Sequence, residues 1–117
     1  MAIKVLKNDE NIYIVELQNE LDLFSSNMLK ELVMKMVEKK IERFIIDLKK
    51  TETITSAGLG ALVYVSSTAK KMDFALAFTN INEAVKKAID ITKLTGYFPI
   101  TPTLKEAVEL VRSQPRT

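Results

Sequence analysis

FIIDLKKTETITSAGLGALVYVSSTAKK, residues 44–71, changes its hydrophobic period part-way along, and that change decides the fold. Phe44, Ile45, Ile46 and Leu48 form a compact run rich in strand formers. The run is too short for a helix and continuous enough to be buried on both faces, so it predicts a central strand. A loop is expected from Lys49 to Thr55. Beyond it, between Ala57 and Lys71, Leu59, Leu62, Val63, Val65 and Ala69 recur at helical spacing, which predicts a helix beginning close to Ser56.

Upstream, Ile3 to Leu6 and the alternating segment Ile12 to Leu17 flank a polar turn from Lys7 to Asn11, which reads as two paired strands. From Ser25 the period becomes helical, with Met28, Leu29, Leu32, Val33, Met36 and Val37 on one stripe, and the helix is expected to end near Lys40. Met28, Met34 and Met36 read as core residues. Downstream, Phe74 to Phe78 is a second short apolar strand. Asn80 with Glu83 matches a capping box for a helix from about Ile81 to Ile91. The chain then turns at Gly96, forms a brief strand around Phe98 to Ile100, and enters a last helix whose cap signals are Pro102, Thr103 and Glu106. Leu104, Ala107, Val108 and Val111 are its expected buried stripe. This order implies a single α/β domain, a mixed and mostly parallel five-stranded sheet covered by four helices, in which only the first hairpin is antiparallel. The domain is expected to occupy residues 1–112, with a frayed tail at 113–117 around Pro115.

The inventory excludes much chemistry. Among 117 residues there is no cysteine and no histidine, so thiol nucleophiles, disulfides, the usual zinc sites and histidine-dependent triads are all ruled out. No cofactor is expected. The net charge is +2, and the basic residues come as scattered pairs interleaved with acids, such as Lys39 with Lys40 and Lys70 with Lys71. Nucleic-acid binding needs a continuous basic face, so none is expected. The longest uncharged run, Thr53 to Ala69, is too short and too rich in hydroxyls to span a bilayer. Met1 to Glu10 lacks the apolar core of a secretory signal, and a cytoplasmic location is the expectation.

Two of the three glycines, Gly58 and Gly60, flank Leu59 at the entrance of the second helix. Glycine costs a helix interior about 0.5 to 1 kcal/mol relative to alanine, so its use twice within one turn points to a close backbone approach. The site follows the carboxyl end of a central strand, where ligands and partners of open α/β sheets gather. It is not a P-loop, because Ala61 and Leu62 stand where a lysine and a hydroxyl residue are needed, and Val63 spoils a dinucleotide fingerprint. Beside the glycines lie Thr53, Thr55 and Ser56. One of these hydroxyls is expected to cap the helix. Alternatively or in addition, Ser56 is a modifiable hydroxyl, since the helix amides and dipole favour a phosphoryl group there.

Ile45-Ile46-Asp47-Leu48 followed by Ile54-Thr55-Ser56-Ala57-Gly58-Leu59-Gly60 resembles the signature of STAS-domain anti-sigma factor antagonists, whose loop commonly reads Asp-Ser-Ser/Thr/Ala-Gly-Leu-Gly. Leu17-Gln18-Asn19-Glu20-Leu21-Asp22 is similar to the family's Gly-Glu-Leu-Asp motif, and the stretch from Ala88-Ile89 through Leu94 to Phe98 resembles its later segment. The resemblance implies a non-enzymatic bacterial regulator of transcription. Its partner would be an anti-sigma factor with serine kinase activity, bound through Glu20, Asp22, Thr55, Ser56, Ala57, Gly58, Leu59 and Gly60. Binding would free the sigma factor, and phosphorylation of Ser56 would break the complex. Two departures stand out: Thr55 replaces the usual Asp, and Asn19 the usual Gly. Two rivals remain open at this stage. One is a scaffold or a sensor of a small ligand or nucleotide, in which Ser56 is only an N-cap. The other is an enzyme with a Ser56 nucleophile and Lys49 or Lys50 as base. Glu20 and Asp22, expected at the end of the second strand, also read as a solvated turn and an N-cap for the first helix.

Overall fold

In the computed structural model, which describes residues 3–93, 96 and 98–113, the chain runs β1 (Ile3–Lys7), β2 (Tyr13–Leu17), β3 (Asn19–Leu21), α1 (Leu23–Glu38), β4 (Arg43–Asp47), β5 (Thr51–Ile54) and α2 (Ser56–Met72). It continues through β6 (Ala75–Thr79), α3 (Glu83–Ile91), β7 (Ile100–Thr101) and α4 (Leu104–Ser113). Five strands form the main sheet in the order β1-β2-β4-β6-β7. β1 and β2 pair antiparallel, with Ile3 opposite Leu17, and every other neighbour in this sheet is parallel. The five strands and four helices expected from the hydrophobic periods are therefore present.

The central strand explains the layering. Phe44 and Ile46 face one side of the sheet, where they join Leu29, Val33 and Met36 of α1, Leu62 and Val65 of α2, and Val85 and Ile89 of α3. Ile45 faces the other side and meets Ala107 and Val111 of α4. All three strand residues are essentially inaccessible to water, and burial of each large aliphatic or aromatic side chain contributes about 1.5 to 3 kcal/mol. Ala75 and Ala77 of β6 lie on the α4 side, and their small side chains allow that helix to sit close to the sheet.

The segment Lys49 to Thr55 is not all loop. Thr51 to Ile54 forms β5, which pairs in parallel with β3 as a separate two-stranded sheet. Asn19 takes a left-handed backbone (φ 64°) and carries the chain out of β2 into β3. Thr51 is buried and donates its hydroxyl to the Leu17 carbonyl at 2.7 Å. Glu20 thus belongs to a third strand of its own rather than to the end of the second.

Several boundaries also moved. The cap of α3 is Asn82, whose side chain accepts from the Val85 amide at 2.8 Å. Asn80 instead adopts a left-handed turn (φ 59°) and donates to the buried Asp47 carboxylate at 3.1 Å. Of the three methionines expected in the core only Met36 is fully buried; Met28 is half-buried and Met34 is exposed. The last strand is Ile100–Thr101, with Phe98 buried just before it. Ser113, placed in the tail by the sequence, closes α4 instead, and residues 114–117, like Leu94, lie outside the described residues. Among the described residues, six other than glycine take left-handed φ near 60°: Asn11, Asn19, Lys40, Asp73, Asn80 and Lys93.

Candidate functional site

The paired strands β3 and β5 build the site. Their register sets Leu21 beside Ile54, so the next residues, Asp22 and Thr55, stand abreast. Each caps a helix. Asp22 accepts from the Ser25 amide at 3.0 Å while Ser25 Oγ accepts from the Asp22 amide at 3.0 Å, a reciprocal capping box for α1. The Ser25 amide and then its hydroxyl hold the Asp22 carboxyl below the ordinary aspartate range.

Thr55 caps α2 and ties it to β3. Its Oγ1 accepts from the Gly58 amide at 3.2 Å and donates to the Leu21 carbonyl at 3.1 Å. The Thr55 amide donates to the same carbonyl at 3.1 Å. Gly58 lies against this junction: a β-carbon there would stand 2.4 Å from the Leu21 carbonyl oxygen and 2.7 Å from Ile54 Cγ1. The close backbone approach expected from the glycine pair is thus real at Gly58, and what approaches is the chain's own β3. Gly60 has open space around its Cα and needs no such explanation.

Ser56 is the first residue of α2 and is exposed. Since Thr55 supplies the cap, none of the hydrogen bonds that fix this corner uses the Ser56 hydroxyl. The first turn of α2 carries no acidic residue, which leaves its positive dipole end uncompensated. Glu20, on the neighbouring strand, accepts from the Thr53 hydroxyl at 3.0 Å. The structure therefore gathers Glu20, Asp22 and Thr55 to Gly60 at one corner, with Ala57 and Leu59 half-buried and Gly60 exposed. Lys49 and Lys50 precede β5 at its opposite end, and the extended strand between Lys50 and Ser56 spans roughly 20 Å. No lysine base from that pair reaches Ser56. Among the described residues, no three acidic side chains stand where they could hold a metal ion.

Leu23 and Phe24 are 65% and 72% exposed at the first turn of α1, directly after Asp22. Neither stood out in the sequence. The signal was available: at 100° per residue Leu23 falls about 80° and Phe24 about 120° from the nearest member of the stripe defined by Leu29, Val33 and Met36.

The model of the STAS domain family matches residues 4–107. The chain belongs to the STAS domain family. This STAS domain is 28% identical over 104 residues to the anti-sigma-B factor antagonist of Bacillus subtilis, covering 89% of the chain and 94% of that protein. The crystal structure of an anti-sigma factor antagonist from Mycobacterium paratuberculosis superposes with a TM-score of 0.83 at 25% identity, over 95% of this chain and 93% of that one. Bacillus SpoIIAA in its phosphorylated form shares the fold, with a TM-score of 0.71 at 14% identity over 92% of this chain and 97% of that one. Among the described residues no helix of the STAS domain is long and apolar enough to cross a membrane.

Proposed function

We propose that the chain is an anti-sigma factor antagonist: it docks an anti-sigma factor with serine kinase activity through the corner of Glu20, Asp22 and Thr55 to Gly60, and so frees a sigma factor in the cytoplasm. Transfer of a phosphoryl group from ATP to Ser56 Oγ, with loss of the hydroxyl proton and release of ADP, ends the docking. The observation that carries this reading is the exposed Ser56 hydroxyl at the start of α2, left over by a cap that Thr55 completes on its own. That arrangement also answers the departure at position 55. A threonine holds the helix start and the strand together, and Ser56 remains available without an acid before it. About two added negative charges beside Glu20 and Asp22 repel their neighbours and resist dehydration, which opposes a close interface. The named relatives support the antagonist reading, and the phosphorylated form of SpoIIAA records that a protein of this fold carries the modification.

The test is mass spectrometry after incubation with ATP and each candidate anti-sigma kinase of the same genome. Phosphate should appear on Ser56 and be absent in Ser56→Ala, and Ser56→Asp should bind the kinase at least about tenfold more weakly. Equal binding by Ser56→Asp and wild type would remove the charge mechanism. A second reading, a STAS scaffold that senses a small ligand without phosphorylation, is favoured by one observation. A cavity of about 400 Å³ lies at the far end of α2, lined by Ser66, Ala69, Phe74, Leu76, Phe98 and Pro99. Such a volume is large enough for a small molecule. Ligand binding there combined with an unmodified Ser56 would favour the scaffold.

A further inference from the structure

We infer that Leu23 and Phe24 are the apolar anchor by which the same kinase partner grips this chain. Holding and switching would then fall to the first turns of two different helices. The inference rests on the reading of Ser56 as the phosphoacceptor.

Single exposed hydrophobic residues are ordinary on protein surfaces, and Ile91, at 81%, is one. Val5 and Leu6 are a second adjacent pair, only 42% and 40% exposed; Leu23 and Phe24 differ by their greater exposure and by including an aromatic ring, with neither covered by the chain's own core. Their place in the fold names the occupant. β3 and β5 lie about 4.8 Å apart as paired strands, and α1 and α2 each start two residues beyond the Leu21 and Ile54 pair. Leu23 and Phe24 therefore start within about 10 Å of Ser56. A kinase must bring a γ-phosphoryl group to within bonding approach of Ser56 Oγ and exclude water around it. A standard interface of about 800 Å² on one partner, centred on Ser56, is a disc roughly 16 Å in radius. Such a disc covers both side chains.

The electrostatics of the patch agree. The two carboxylates of the corner each accept a hydrogen bond, Asp22 from Ser25 and Glu20 from Thr53, so covering the anchor leaves neither without a hydrogen-bond partner. The complement on the partner is an apolar recess beside its active site. A phosphoryl group at Ser56 stands inside the area that must dry for Leu23 and Phe24 to seat, so the switch acts without a change of fold.

The experiment titrates purified wild type, Leu23→Ala, Phe24→Ala and Ile91→Ala against the anti-sigma kinase of the same genome, and measures the steady-state rate of Ser56 phosphorylation. Phe24→Ala should weaken binding about tenfold or more and Leu23→Ala about threefold to tenfold, while Ile91→Ala stays within about twofold. In phosphorylation, Phe24→Ala should raise KM and leave kcat near wild type, because it removes uniform binding rather than chemistry. Wild-type affinity and KM in Phe24→Ala would overturn this inference and leave the Ser56 switch standing. If no kinase of the genome binds or phosphorylates the wild-type chain, the switch and the anchor fall together. Both side chains are exposed, so unchanged melting of the variants confirms that the comparison reports binding.

Discussion

Replacing Gly58 by alanine tests the idea that one carbonyl organises the corner. The added methyl would lie 2.4 Å from the Leu21 oxygen and 2.7 Å from Ile54 Cγ1. The oxygen has little freedom to retreat, because it accepts both the amide and the hydroxyl of Thr55, each at 3.1 Å. Three contributions set the sign. Helix propensity favours alanine over glycine by about 1 kcal/mol. Overpacking against a fixed neighbour costs about 1 to 3 kcal/mol, and disturbance of the Thr55 cap about 1 kcal/mol more. The net is a loss of about 1 to 3 kcal/mol, or roughly 4 °C in Tm per kcal/mol for a domain of this size. Gly60→Ala, two residues on in the same helix and with nothing near its Cα, should instead gain about 0.5 to 1 kcal/mol. Denaturant unfolding of both variants, with m-values checked for constancy, decides the matter. A Gly58→Ala protein as stable as Gly60→Ala would refute the close approach and the shared-carbonyl account with it.

Further expectations concern the caps. Thr55→Ala leaves the Gly58 amide and the Leu21 carbonyl each short of a partner and should cost about 1 to 2 kcal/mol, while Thr55→Ser should stay within about 0.5 kcal/mol, both read by denaturant unfolding. Asp22 is held below its ordinary range in the folded chain, first by the Ser25 amide and then by its hydroxyl. Its stabilising contribution is therefore present above the unfolded value, near about 3.9, and is lost as pH falls through the folded value. Accordingly the stability gap between wild type and Asp22→Ala should be constant from about pH 5 to 7 and should shrink below about pH 4. An undiminished gap at about pH 3 would contradict it.

The fold was largely legible because its core elements obey one period each. Phe44 to Leu48 is buried on both faces and reads as such, and α1, α2 and α4 announce themselves by stripes. What was hidden follows from the same logic. Thr51-Glu52-Thr53-Ile54 forms a strand whose only fully buried side chain is Thr51, so hydrophobicity gives no sign of it. Asn80 and Asn82 both suit a helix cap, and only the fold decides that Asn80 turns away to Asp47 while Asn82 serves Val85. At the site, the position of Ser56 was readable from the motif. That Thr55 is the cap, and so leaves the Ser56 hydroxyl unused by the cap, depends on how β3 packs beside β5. Leu23 and Phe24 were missed because the amphipathic stripe draws the eye to what is buried.

The left-handed residues at the helix ends offer a practical lever. Lys40 follows α1 and Lys93 follows α3, each at φ 62°, and among the described residues no glycine takes positive φ. A side chain costs about 1 kcal/mol in that conformation, so Lys40→Gly and Lys93→Gly should each add up to about 1 kcal/mol. Two surface substitutions would thus yield a sturdier host that still presents the native corner. In that host the most disruptive corner variants, Gly58→Ala among them, would remain folded long enough for their partner binding to be measured on its own terms.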